Sequence, residues 1–340
     1  VVLEPLNPLN LIFATQSKTY FEVYIIGLGA YLPEKIIDNS YFSEIMGLGE
    51  DWFLTRTGIH TRKKASESEN TNILAIKAIK NLEQTPHIKL TDIDLIVGAT
   101  YTPYDTIHTL AHAAQRYLQV GDIPVLSLST ACSSFLNALE VVQGYFAMQK
   151  SSKALLIAAD HNTAYSDETD KNSGHLWGDG AVAMLVSKEK PLSQPYMEVL
   201  DIFTAGGGNL GKADESVFLK PVNEGFLMNN GRDVFLHACE YMSKAVLKVL
   251  ERNQKNIADI AYFAPHQANK RISLNVAENL QLPLEKLLSN VEYLGNTGCA
   301  GCAIALWENQ HKFQQNDLIA MSVFGGGYSY GAALLQFWNN

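Results

Sequence analysis

The sequence is poor in several things, and each shortage narrows the field. It has four cysteines in 340 residues, Cys132, Cys239, Cys299 and Cys302. They lack the dense spacing of a disulfide-stapled domain, so reduced thiols and a cytoplasmic location are expected. There is no run of about 18 apolar residues, so no membrane span is expected. There is no basic excess: the net charge is −9. Bulk electrostatics therefore argue against nucleic acid, and an acidic partner needs a local basic patch. Cys299-Ala-Gly-Cys302 has a redox or metal spacing. It stands alone among small residues that read as a tightly packed helix, so no metal is expected. Gly27-Leu-Gly29 is not a dinucleotide fingerprint, because Pro33 follows where a phosphate-binding helix should start. Residues 1–20 lack the basic start and cleavage site of a signal peptide. They read as an N-terminal extension.

What is present is apolar and alternating. Hydrophobic residues make up 47% of the chain, ample for one large α/β unit or two similar halves. Apolar runs at 23–29, 95–99, 123–128, 154–159, 196–203, 260–264, 318–323 and 332–337 read as strands. Residues 291–294 are read the same way. A strand also follows the Trp177-Gly-Asp179-Gly180 turn. Helical patterns cover about 71–82, 135–146 and 233–251, and a further helix ends near Gly121. Strands alternating with helices indicate an α/β architecture. After a linker at 191–195 the second part repeats the rhythm of the first. The expected division is 21–195 and 196–340.

Candidate chemistry sits where strands end. Cys132 follows the 123–128 run and opens a helix. Unpaired N–H groups and the helix dipole favour an anion there, so the thiol is expected to ionise readily and act as a nucleophile. The competing reading is a buried cysteine behaving as a small hydrophobe. His266 and Asn296 follow two further apolar runs, and ligands of α/β sheets bind at such carboxyl ends. Gly325-Gly326-Gly327 offers backbone N–H groups. Trp52 and Arg56, four apart, either hold a flat anionic ligand or simply pack together. His108 and His112 read as helix-face packing or capping. Lys244, Lys248 and Arg252 form one basic stripe, either solvated or a docking surface.

These residues lie in recognisable segments: Trp52…Thr-Arg56-Thr57-Gly-Ile, Thr-Ala-Cys132-Ser, Gly-Asp179-Gly-Ala, His266-Gln-Ala-Asn269-Lys-Arg271-Ile, Gly-Asn296-Thr-Gly and Phe-Gly-Gly-Gly327. In this order and spacing the chain resembles the β-ketoacyl-acyl-carrier-protein synthase III family of the thiolase-like superfamily. The resemblance spans about residues 21–340. It implies a thiolase-like fold of two similar halves in an αβαβα arrangement, and a decarboxylating Claisen condensation. Cys132 would carry the acyl group of an acyl-CoA. Its N–H and that of Gly326 or Gly327 would form the oxyanion hole. His266 and Asn296 would hold the enolate of a malonyl thioester. Trp52, Arg56, Thr57, Lys171 and Asn269 would contact CoA or pantetheine. Arg271 would face the acyl carrier protein, with Lys244 and Lys248 as further docking residues. No cofactor beyond these substrates is implied, and a homodimer is.

Departures from the family pattern point to a specialised relative. Ser133-Ser134 follows Cys132 in place of Ser-Gly. Gly298-Cys299-Ala-Gly replaces Ser-Ala-Ala after Asn296-Thr. Lys171 stands where an arginine is common. Residues 101–112 carry two tyrosines and two histidines beside the expected acyl pocket. A dialkylresorcinol-type ketosynthase taking longer or β-ketoacyl groups fits these changes. The rivals are a thiolase using a second cysteine, a non-decarboxylating acyltransferase, and a non-catalytic scaffold. Asn296 cannot serve as a general base, which disfavours the thiolase. The intact Cys, His and Asn disfavour the scaffold.

Overall fold

The computed structural model describes residues 22–220 and 225–339. The expected N-terminal extension lies outside them. Nine strands form one mixed sheet: β1 (Tyr24–Tyr31), β2 (Leu95–Ala99), β3 (Val125–Leu128), β4 (Lys153–His161), β5 (Asp179–Ser187), β6 (Tyr196–Gly206), β7 (Ile260–Pro265), β8 (Leu318–Gly325) and β9 (Ser329–Trp338). Their order is β7-β8-β9-β6-β1-β5-β4-β2-β3.

That order is an internal repeat. β1 pairs antiparallel with β5, β5 antiparallel with β4, and β4 parallel with β2. Likewise β6 pairs antiparallel with β9, β9 antiparallel with β8, and β8 parallel with β7. The two sets meet where Tyr24 and Ile25 of β1 face Glu198 and Met197 of β6.

Side-chain alternation along the strands builds the layers. In β4, Ala154, Leu156 and Ala158 face a central cluster shared with helices Ser134–Ala147 and Gly301–Asn309. Leu155, Ile157 and Ala159 pack outward against helices Thr71–Glu83 and Leu110–Leu118. In β8, Ile319, Met321 and Val323 face the centre. Leu318, Ala320 and Phe324 pack outward against helices Gly231–Arg252 and Lys270–Asn279. The result is the expected five-layer αβαβα sandwich. It explains why these strands read as continuous apolar runs: both faces are covered. It also explains the small residues around Cys299 and Cys302. Both thiols are buried on the central helical segment, with sheet on either side.

Two local readings change. The run Val291–Leu294 is a helical turn, not a strand, with the Gly295 N–H donating to the Val291 carbonyl. Four residues are too few to distinguish the two periods. His108 precedes its helix, while the His112 ring bonds the Thr109 hydroxyl at the helix start. Two small antiparallel strand pairs were also not foreseen: Lys35–Asp38 with Thr61–Lys64, and Phe218–Lys220 with Gly225–Leu227. Strands this short carry too little alternation to read.

Candidate active site

Cys132 sits on a turn between β3 and the central helix Ser134–Ala147. The turn is tight enough to hold Ala131 at φ +52°, a left-handed conformation that L residues rarely adopt. Two serines fasten it. The Thr130 N–H donates to Ser134 Oγ at 2.8 Å, and Ser134 Oγ donates to the Ala131 carbonyl at 2.5 Å. Ser133 Oγ donates to the Thr130 carbonyl and reaches Ser329 Oγ at 2.7 Å, tying the turn to β9. The Ser133-Ser134 departure is thus built into the support of the cysteine. Gly325 packs directly beneath. A Cβ there would lie 2.8 Å from the Cys132 nitrogen and 2.9 Å from the Thr130 carbonyl oxygen.

The helix terminus alone predicts an easily ionised thiol, and burial works against it. Burial pushes the Cys132 thiol up to about 12, and the Asp160 carboxylate adds to the rise. The Tyr101 hydroxyl, 3.6 Å from Sγ, opposes them.

His266 follows β7, its N–H donating to the Ser322 carbonyl at 2.7 Å. The ring is buried, Nδ1 has no hydrogen-bond partner, and burial lowers its pKa to about 4. The imidazole is therefore neutral at pH 7. Asn296 reaches the same place from the loop after the helical turn. Its N–H donates to the Leu176 carbonyl at 2.8 Å. Its carbonyl accepts from Gly178 at 3.0 Å and from Asn162 Nδ2 at 3.1 Å. Its side-chain Oδ1 accepts from the Gly298 N–H at 3.0 Å. With the oxygen occupied, the amide offers its NH₂ as a donor.

Cys132, His266, Asn296, Gly326 and Gly327 line one cavity of about 920 Å³. Its other walls are largely apolar and aromatic, including Tyr101, Tyr165, Trp177 and Phe226. Trp177 and Phe226 stack at 4.3 Å. A neutral imidazole and a fixed amide beside a thiol and glycine N–H groups can receive an acyl thioester. They can also stabilise negative charge developing on oxygen.

The expected CoA residues divide into groups. Trp52, Arg56 and Arg271 line a second, surface depression of about 700 Å³. Arg56 lies over the Trp52 ring at 4.1 Å. Asn269 caps helix Lys270–Asn279 and donates to the Arg56 carbonyl at 3.3 Å. Ala268 and Ile272 of the same segment line the large cavity, so the helix start joins the two. Lys171 is exposed on a loop four residues before His175, whose ring packs on Trp52.

Two expected groups stand apart from these cavities. Thr57 is buried, and its hydroxyl donates to the Phe53 carbonyl at 2.7 Å and accepts from the Ile59 N–H at 3.1 Å. It ends a helix rather than lining a tunnel. Lys244 and Lys248 do not join Arg271. Arg271 lies near Phe235, and Lys248 is thirteen residues along that helix, roughly 20 Å at 1.5 Å per residue. Lys244 is paired with Glu240, and Lys248 sits over Phe203.

Sequence reasoning gave no role to Asp160 or to the Tyr101 hydroxyl. Asp160 is fully buried. Its Oδ1 accepts from Thr100 Oγ1, Tyr101 N and Thr102 Oγ1 at 2.8–3.1 Å, and its Oδ2 from Cys299 N at 2.8 Å. It ties the ends of two loops behind the thiol. The signal was an acidic residue closing an apolar strand, which is weak alone. Among the described residues no group of three or more His, Cys, Asp or Glu is placed to hold a metal ion. Among the same residues no helix is long and apolar enough to cross a membrane.

A five-layer duplicated α/β sandwich with Cys, His and Asn in one cavity defines a thiolase-like condensing enzyme. Two family models match: the 3-oxoacyl-[acyl-carrier-protein] synthase III model at residues 126–204 and its C-terminal model at 250–337. The β-ketoacyl-[acyl-carrier-protein] synthase III of Rickettsia felis is 32% identical over 318 residues, covering 92% of this chain and 99% of that protein. The crystal structure of 3-oxoacyl-[acyl-carrier-protein] synthase III from Aquifex aeolicus superposes with a TM-score of 0.85 at 32% identity, covering 92% and 99% of the two chains. The priming β-ketosynthase of the R1128 polyketide pathway superposes at 0.82 with 25% identity, covering 94% and 96%. This chain belongs to the β-ketoacyl-acyl-carrier-protein synthase III family.

Proposed function

We propose that this protein joins an acyl thioester to a malonyl thioester by decarboxylating Claisen condensation, in fatty acid or related lipid or polyketide biosynthesis. The observation that carries the reading is the convergence of Cys132, His266 and Asn296 on one cavity with Gly326 and Gly327.

In the first half-reaction the Cys132 thiolate attacks the carbonyl of an acyl-CoA. A Cys S–acyl bond forms, the CoA S–acyl bond breaks, and CoA leaves as its thiolate. The N–H groups of Cys132 and of Gly326 or Gly327 receive the transient oxyanion. In the second, a malonyl thioester loses CO₂, and the electrons of that bond move onto the thioester oxygen as an enolate. Neutral His266 and the Asn296 NH₂ donate hydrogen bonds to it. The enolate carbon then attacks the acyl-Cys carbonyl, giving a β-ketoacyl thioester and releasing the Cys132 thiolate. The acyl-cysteine carries the chemistry, so no metal or cofactor is needed.

Trp52 and Arg56, with Lys171 nearby, hold the nucleotide end of CoA. Asn269 stands at the passage inward, and Arg271 meets an acyl carrier protein. The protein works as a cytoplasmic homodimer of two halves, 21–195 and 196–340. The aromatic and hydroxyl-bearing walls fit a specialised acyl group better than a short plain one. The test is to supply acyl-CoAs of graded length with malonyl carrier protein and follow products by mass. A β-ketoacyl carrier product with release of CO₂ supports the reading. Transfer of the acyl group to oxygen or nitrogen without CO₂ overturns it.

A further inference from the structure

We infer that the Tyr101 hydroxyl is a catalytic group that activates Cys132, donating a hydrogen bond to Sγ as the thiolate forms. The inference rests on the proposed role of Cys132 as nucleophile.

Three observations carry it. The first is contact: the Tyr101 hydroxyl lies 3.6 Å from Sγ, inside the hydrogen-bond range for sulfur, within the cavity that His266 and Asn296 share. The second is how Tyr101 is held. Its backbone N–H donates to Asp160 Oδ1 at 3.1 Å, and both neighbours, Thr100 and Thr102, bond the same oxygen through their hydroxyls. Its ring meets Phe226 edge-on at 6.0 Å. A hydroxyl supported from both backbone and ring is pre-organised rather than free to turn away. The third is electrostatic: among the described residues no cation supports the thiolate, since His266 is neutral through burial and Asp160 raises the thiol rather than lowering it. Of the side-chain groups here, the Tyr101 phenol is the one within hydrogen-bond range of Sγ. Burial holds the Tyr101 hydroxyl well above its ordinary pKa, so it keeps its proton while the thiol gives its own to solvent.

The step balances without a further reagent. The S–H proton passes to water, and the O–H of Tyr101 turns to the sulfur anion and remains intact. The acyl group then forms its bond to sulfur as CoA thiolate departs. Once sulfur is acylated, the same hydroxyl lies beside the thioester. Return of the thiolate after condensation restores the hydrogen bond.

The test is the pH profile of Cys132 alkylation by iodoacetamide, read by intact mass in wild type and Tyr101→Phe, with thermal unfolding as a check on folding. This readout does not depend on any acyl donor. If no acyl-CoA transfers to Cys132 in wild type, the functional reading fails while the profile still reports on Tyr101. A hydrogen bond to a charged group predicts alkylation about ten- to a hundredfold slower at pH 7.5 in Tyr101→Phe, with the profile shifted alkaline by one to two units. A misfolded variant would expose the thiol and react faster, the opposite sign. A folded Tyr101→Phe with an unchanged profile, or one shifted to lower pH, overturns the inference.

Discussion

Asn296→Asp is the substitution that most cleanly separates the two half-reactions. The replacement keeps size and planarity. One carboxylate oxygen still accepts from the Gly298 N–H, which in the native protein holds the amide oxygen at 3.0 Å. The loop should therefore keep its course. The other oxygen now stands where the amide NH₂ stood, and it cannot donate. An acceptor, charged when ionised, then faces the developing enolate in place of a donor. Removal of a single oxyanion donor costs about 10²–10³ in rate, or about 2.7–4 kcal/mol, and a like charge adds to it. Acyl loading of Cys132 uses the glycine N–H groups and not Asn296, so it should stay within about threefold of wild type. The assay is paired: acyl adduct by intact mass for loading, and CO₂ release from malonyl carrier protein for the second step. Condensation within about tenfold of wild type, or equal losses in both steps, would refute the assignment of Asn296 as an enolate donor.

Three further outcomes follow from the same geometry. Gly325→Ala puts a Cβ 2.8 Å from the Cys132 nitrogen. Displacing that turn should slow loading by up to about 10²-fold while the sheet still folds, which a time course of acylation and circular dichroism would report. Burial lowers the folded-state pKa of His266 from 6.5 to about 4. The unfolded chain binds the extra proton first, so this residue's contribution to stability is present above pH 6.5 and is lost as pH falls to about 4. Malonyl decarboxylation should accordingly show its His266-dependent acid limb near 4, and a limb centred near 6.5 would contradict this. Thr57→Ala removes the hydroxyl that bonds Phe53 and Ile59. It should lower stability by about 1 kcal/mol in a denaturant titration and leave the KM for acyl-CoA within about twofold.

The sequence carried the repeat and the trio Cys132, His266 and Asn296 that lines one cavity, because both are written in local signals. Strands covered on both faces read as apolar runs: β2 and residues 154–159 of β4 are continuous, and β8 is interrupted only by Ser322. The turn after β3 needs small residues, and Thr130-Ala131-Cys132-Ser133 supplies them. Asn296 was legible as a residue but not as the end of its element, since Val291–Leu294 fits either period. The forces on the Cys132 thiol were legible only in part, for a different reason. Helix position is local, whereas burial and the Asp160 carboxylate come from segments 28 or more residues away. Thr57 is similar: a motif position says what type of residue stands there, while the hydroxyl's partner is set by how helix Glu50–Thr57 ends. Tyr101 and Asp160 gain meaning only when the sheet brings their strand ends beside the thiol.

The most direct measurement of the central claim is the intact mass of the protein after mixing with an acyl-CoA and then with malonyl carrier protein. The account predicts one acyl adduct, located on Cys132 and absent from Cys132→Ala. That adduct should disappear on adding malonyl carrier protein, with release of CO₂ and a β-ketoacyl product of matching length. An adduct on another residue, or a Cys132 adduct that persists in the presence of malonyl carrier protein, would contradict it.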